Sequence, residues 1–103
     1  MTNVLDKIIE DKKDFLKSIK KTNSLDSIEN TIKSLNNFLN FKEVIAKNKR
    51  ASLITEIKKA SPSAGELVRD FNHLNIAKMY VDNGAACLSV LTEEKHFLGK
   101  LDY

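Results

Sequence analysis

A chain of 103 residues, 42% hydrophobic and 30% charged, is long enough to bury one core and too apolar for a disordered segment. The 17 Lys and Arg against 14 Asp and Glu give a net charge of +3, too balanced to argue for nucleic acid by itself. A single cysteine, Cys87, excludes an intrachain disulfide and suits a reducing compartment, and the chain has no run of about 18 apolar residues that would cross a membrane. The N-terminus alternates charged and apolar residues without the apolar centre of a secretory signal, so a cytoplasmic protein is expected.

In chain order, Val4, Leu5, Ile8, Ile9, Phe15, Leu16 and Ile19 recur at helical spacing and predict a first helix, with Asn3 or Thr2 as its cap. The polar stretch 20–26 reads as a loop. Ile28, Ile32, Leu35, Phe38 and Leu39 predict a second helix capped by Asp26 or Ser27, and a short third helix is predicted over 41–47 with Asn40 as cap. At Ala51 the character changes. Residues 51–57 are apolar and of strand length, and a loop containing Pro62 and Gly65 follows. Ile76, Ala77, Tyr80 and Val81 then mark a helix face that stops at Asn83-Gly84, and 85–91 is a second apolar strand. Strand, helix and strand in this order predict a right-handed crossover with parallel strands, normally covered on both faces.

Side chains alternate along a strand, so Ile54, Glu56 and Lys58 share one face, and Glu56 and Lys58 lie roughly 6.6 Å apart along it. They stand at the C-terminal end of the strand, where parallel sheets and barrels bind ligands. A carboxylate beside an ammonium keeps both groups ionised and is equipped to hold an anion and move protons. The same pair also fits an edge strand whose charges face water. The loop Ser61-Pro62-Ser63-Ala64-Gly65 offers hydroxyls and amides to an oxyanion, and equally fits an ordinary turn. His73 and His96 lack partners at metal-ligand spacing and read as surface residues, with no metal expected. Cys87 reads as a small buried apolar residue, and Phe71 and Tyr80 as packing groups.

The segment Glu56-Ile57-Lys58-Lys59-Ala60-Ser61-Pro62-Ser63, with Gly65 two positions on, resembles the first barrel strand of the indole-3-glycerol phosphate synthase family. There the pattern is Glu, any, Lys, Lys or Arg, any, Ser, Pro, Ser. A second stretch, Gly84-Ala85-Ala86-Cys87-Leu88-Ser89-Val90-Leu91-Thr92-Glu93-Glu94-Lys95, followed by Phe97 and Gly99, resembles the family's second strand and the loop after it. More loosely, Val4-Leu5-Asp6-Lys7-Ile8-Ile9 with Asp11-Lys12-Lys13 is similar to its N-terminal helical extension. The resemblance spans nearly the whole chain, in the same order and spacing.

It implies an α/β fold: the N-terminal part of a (β/α)8 TIM barrel, about two strands, preceded by extra N-terminal helices. Residues 1–48 would be the helical extension and 49–103 the first two strands and first helix of the barrel. The implied enzyme is a carboxy-lyase of tryptophan biosynthesis. Its substrate is a phosphorylated small molecule, 1-(2-carboxyphenylamino)-1-deoxyribulose 5-phosphate, whose indole ring closes with loss of carbon dioxide and water, without organic cofactor or metal. By resemblance Lys58 contacts the anionic substrate and assists proton transfer, Glu56 orients it, Ser61 lies at the strand's end against it, and Phe97 packs beside its aromatic ring. Ala64 departs from the pattern, since relatives often have Lys there.

A full barrel takes roughly 250 residues and eight strands. The family's principal general-acid lysine is on the third strand, and its catalytic carboxylate and phosphate-binding loops come later. The chain alone is therefore expected to be inactive. With an unpaired strand edge it is expected to fold its N-terminal helices over the open surface or to self-associate. The competing expectation is a non-enzymatic helical module that binds an acidic partner or RNA through 41–59, where 6 Lys or Arg stand against 2 Glu. The lack of interleaved aromatics argues against nucleic acid.

Overall fold

Asn3 opens the first helix, α1 (Val4–Thr22), in a computed structural model that describes residues 3–103. Its side chain accepts from the Asp6 amide at 2.8 Å, and the Asp6 carboxylate accepts from the Asn3 amide at 3.4 Å, a reciprocal capping box. Thr2, the competing cap, lies outside the described residues. The helix continues beyond Ile19 because Lys20 and Lys21 are good helix formers placed at the negative end of its dipole. The predicted loop 20–26 shrinks accordingly, and α2 (Leu25–Ser34) is capped by Ser24 rather than by Asp26 or Ser27. It ends earlier than its apolar pattern indicates, with Leu35, Phe38 and Leu39 beyond it. The Thr31 hydroxyl donates to the Ser27 carbonyl at 3.0 Å and the Ser34 hydroxyl to the Thr31 carbonyl at 2.6 Å, competing with the regular ladder before Asn36-Asn37.

The chain divides into two compact units, one ending at Leu39 and one spanning Asn40–Tyr103. The second begins with α3 (Phe41–Ala46), which Asn40 caps as predicted by accepting from the Glu43 amide at 3.0 Å. This helix packs on the strand layer of its own unit. The Ser52 hydroxyl donates to the Ile45 carbonyl at 2.7 Å and ties the end of α3 to the entry of β1.

That layer is β1 (Ile54–Ile57) beside β4 (Cys87–Val90), parallel and with Ile54 opposite Cys87 and Ile57 opposite Val90. Both strands are shorter than the apolar runs 51–57 and 85–91, yet ladder bonds continue past their ends. The Leu53 carbonyl accepts from Ala86 at 2.9 Å, and that of Ile57 from Leu91 at 3.0 Å. Between them the loop with Pro62 is more regular than expected. A short antiparallel ribbon pairs β2 (Ala60–Ser61) with β3 (Gly65–Glu66).

The crossover helix is α4 (His73–Asp82), capped by the Asn72 side chain. It packs on β1, and His73, Ile76, Ala77 and Tyr80 form an i, i+3, i+4, i+7 stripe along it that is half-buried. Val81, placed on that face by the sequence pattern, is instead 57% exposed, because five residues from Ile76 rotate it off the stripe. The helix stops at Asn83, and Gly84 follows at φ 93°. Ile57 and Ala60, each 3% exposed, are the buried apolar centre at the exit of β1. Cys87 is half-buried rather than buried. His73 is not a plain surface residue, since its ring stacks on Tyr103 with centroids 4.5 Å apart, and Phe71 lies 5.5 Å from the same ring. No helix among the described residues is long and apolar enough to cross a membrane.

Candidate active site

The pairing of β1 with β4 decides what surrounds the charged face of β1. Glu56 is opposite Ser89, and residues opposite each other in a ladder point to the same side. The Ser89 hydroxyl lies 3.5 Å from Glu56 Oε2, a long hydrogen bond in which the hydroxyl donates. On its other oxygen, Oε1, Glu56 accepts from Lys58 Nζ at 2.9 Å. The expected Glu56–Lys58 proximity is therefore a direct ion pair, and the two side chains remain 43% and 33% exposed. A pair this open adds little to folding, because water screens it. Its ammonium keeps donors to spare for a second anion.

The main chain of Glu56 is held independently. Its carbonyl accepts from the Tyr80 hydroxyl at 2.9 Å, so a residue of α4 fixes the strand where the carboxylate leaves it.

Ser61 is in β2, just beyond the end of β1. Its hydroxyl accepts from the Ala64 amide at 3.2 Å and is 3.4 Å from the Ser63 hydroxyl, so the Ser-Pro-Ser turn is folded around it. Phe97 is on the segment that leaves β4. Because β1 and β4 are parallel and in register, Lys58, Ser61 and Phe97 all follow the same ends of paired strands. Ser61 and Phe97 form no hydrogen bond with the Glu56–Lys58 pair among the described contacts. An open hollow of about 550 Å³ lined by Lys59, Glu94, Leu98 and Lys100 lies on the same post-strand segments, and none of the four predicted site residues lines it.

Three groups at this end of the sheet escaped the sequence reading. Ser89 becomes visible only when the register sets it opposite Glu56. Tyr80 read as a packing group, and its hydroxyl bond spans 24 residues, beyond any local pattern. Glu93 is in the second motif, yet nothing in its neighbourhood signals that its carboxylate binds the main chain of its own loop. Among the described residues no cluster of three His, Cys, Asp or Glu is arranged to hold a metal ion.

Comparison with known proteins bears directly on this arrangement. The family model described as indole-3-glycerol phosphate synthase matches residues 5–103. An indole-3-glycerol phosphate synthase of Clostridium acetobutylicum is 46% identical over 101 residues, covering 97% of this chain and 38% of the relative. One from Desulforamulus reducens is 42% identical over 100 residues, with 97% and 38% covered. The tryptophan biosynthesis protein TrpCF of Buchnera aphidicola is 44% identical over 101 residues, covering 97% of this chain and 21% of that protein. The chain thus spans well under half the length of these relatives, and the matched stretch holds both the Glu56–Lys58 strand and the Glu93–Gly99 loop. It belongs to the indole-3-glycerol phosphate synthase family.

Proposed function

We propose that this chain supplies the first two strands of a (β/α)8 barrel that closes the indole ring of 1-(2-carboxyphenylamino)-1-deoxyribulose 5-phosphate, a carbon–carbon lyase reaction of tryptophan biosynthesis. The observation that carries the reading is the Glu56–Lys58 ion pair at 2.9 Å, at the C-terminal end of a parallel strand. Residues 1–48 serve as a helical extension to the barrel, and the site is cytoplasmic.

The chemistry asks for such a pair. A ring carbon that bears a carboxylate must bond to a carbonyl carbon of the sugar chain. As that bond forms, negative charge builds on the carbonyl oxygen and needs a proton donor or a cation. Carbon dioxide then leaves from the ring carbon, returning its bonding electrons to the ring. The hydroxyl left on the former carbonyl carbon departs as water after protonation, while the adjacent methylene carbon gives up a proton to form the indole double bond. Lys58 contacts the anionic substrate and assists in proton transfer, and Glu56 keeps the ammonium aimed and orients the substrate. Ser61 borders the substrate at the strand's end, and Phe97 packs beside its aromatic ring. The bond changes need no redox partner.

Two strands contribute only some of the groups the reaction takes, so the 103-residue chain by itself is expected not to turn substrate over. The test joins residues 1–103 to the remaining strands of the clostridial relative and follows indole formation by fluorescence. Ring closure by the joined protein, abolished when residues 1–103 are withheld, is expected. A folded joined protein that does not close the ring, or turnover by residues 1–103 alone, overturns the proposal.

A further inference from the structure

The segment after β4 is held by one side chain. Glu93 Oε1 accepts from the Lys95 amide at 3.0 Å, and Oε2 accepts from the amides of His96 at 2.7 Å and Phe97 at 3.0 Å. The Glu93 carbonyl accepts from the Gly99 amide at 2.8 Å, closing the loop. Hydrogen bonds from amides to an ionised carboxylate are about twice as strong as neutral ones. The loop also carries backbone strain, since Leu98 sits at φ 53°, a left-handed conformation that costs a side-chain-bearing residue roughly 1 kcal/mol. Gly99 is pressed so close to the strand exit that a β-carbon there would lie 2.1 Å from the Leu91 carbonyl oxygen. Strain of this kind persists only where surrounding contacts over-determine it. The Glu93 carboxylate is the contact that gathers successive amides.

We infer that Glu93 is a positioning residue for the arylamine part of the substrate: by binding the amides of residues 95–97 it holds the Phe97 ring at the C-terminal end of β4, where that ring borders the substrate's aromatic ring. The inference rests on the substrate contact proposed for Phe97. Glu93 acts through the loop. Three main-chain amides engage its two oxygens, which assigns it to the loop rather than to the proton-transfer steps. Its loss should weaken recognition of the aromatic half of the substrate and leave the proton-transfer steps intact.

The experiment uses the protein in which residues 1–103 are joined to the remaining strands of the clostridial relative, with Glu93→Ala, Glu93→Gln, Phe97→Ala and the combined Glu93→Ala/Phe97→Ala variants. Amide hydrogen exchange of residues 95–97 and steady-state kinetics are measured on each. Glu93→Ala should speed exchange of these amides at least about tenfold. It should also raise KM about tenfold with kcat changed less than about twofold. Glu93→Gln, which keeps one acceptor oxygen, should give a smaller rise of about threefold and serves where the alanine variant folds poorly. The combined variant should have a KM no higher than the worse single variant, since both act through one ring. Unchanged exchange overturns the loop role of Glu93. Faster exchange with unchanged KM, both in Glu93→Ala and in Phe97→Ala, overturns the Phe97 contact itself. A collapse of kcat at unchanged KM makes Glu93 a chemical participant and overturns the positioning role.

Discussion

The Tyr80 hydroxyl donates to the Glu56 main-chain carbonyl at 2.9 Å, and so the crossover helix grips the one strand residue whose carboxylate pairs with Lys58. The geometry follows from the parallel ladder. Carbonyls of Leu53 and Ile57 accept from β4, so the carbonyl of Glu56, between them in alternation, points to the other edge of β1. Left bare, that oxygen would be part of an unpaired strand edge. Tyr80 covers it with a hydroxyl while its ring packs in the half-buried stripe of α4.

Tyr80→Phe keeps the ring and removes only this donor. It should destabilise the chain by about 1 kcal/mol, the net worth of one such hydrogen bond. Urea unfolding followed by circular dichroism measures it, with the denaturant slope expected to stay the same. A change within experimental error would mean that water replaces the hydroxyl at no loss.

The Glu56–Lys58 pair should separate activity from stability. Both side chains are more than a third exposed or close to it, so Lys58→Met should alter folding stability by less than about 1 kcal/mol. In the protein joined to the remaining barrel strands the same change should lower kcat/KM at least about 100-fold. Equal kinetics for the two proteins would remove Lys58 from the chemistry.

Two glycines should respond differently to alanine. At Gly84, φ is 93° and no atom lies within 4 Å of an added β-carbon, so Gly84→Ala meets only the left-handed conformational penalty, about 1 kcal/mol. At Gly99 the added carbon meets the Leu91 backbone at 2.1 Å, and Gly99→Ala should cost about 2 kcal/mol or more and loosen the loop that carries Phe97. Thermal unfolding of the two variants compares them directly. The reverse order would contradict the close approach at the strand exit.

The cap of α4 supplies a fourth prediction. The Asn72 side chain accepts from the Asn75 amide at 3.0 Å. Asn72→Ala should destabilise by about 1 kcal/mol, while Asn72→Ser, which keeps a capping oxygen, should cost a few tenths. Denaturant midpoints of the two variants should differ accordingly, and equal midpoints would show that the cap adds nothing.

Much of this was legible in the residues alone, wherever the physics is local. Helical spacing of apolar side chains located α1, α2 and α4, because one face of each must be apolar, and Asn40 marked the start of α3. The strand–helix–strand order around Asn83-Gly84 implied a parallel pair, since a helix returns the chain to the starting edge. Alternation put Glu56 and Lys58 on one side, and the segments 56–63 and 84–99, at their spacing, together carried the family resemblance. Helix ends were harder. Lys20 and Lys21 look like loop and fold as helix, while Leu35, Phe38 and Leu39 look like helix and lie past its end.

What the sequence could not settle depends on residues far apart along the chain. That Ser89 faces Glu56 is a matter of register across β1 and β4, which no local pattern specifies. That Tyr80 holds the Glu56 carbonyl required α4 to lie against β1 at a particular rotation, the same rotation that turns Val81 outward. The role of Glu93 emerged only once the chain beyond it had folded back to bring three amides to one carboxylate. Sequence by itself determined the family, the parallel strand pair and the charged residues at its end. Tertiary structure decided which neighbours hold those residues in place, because hydrogen-bond partners are chosen by how elements pack, and packing joins positions that sequence keeps apart.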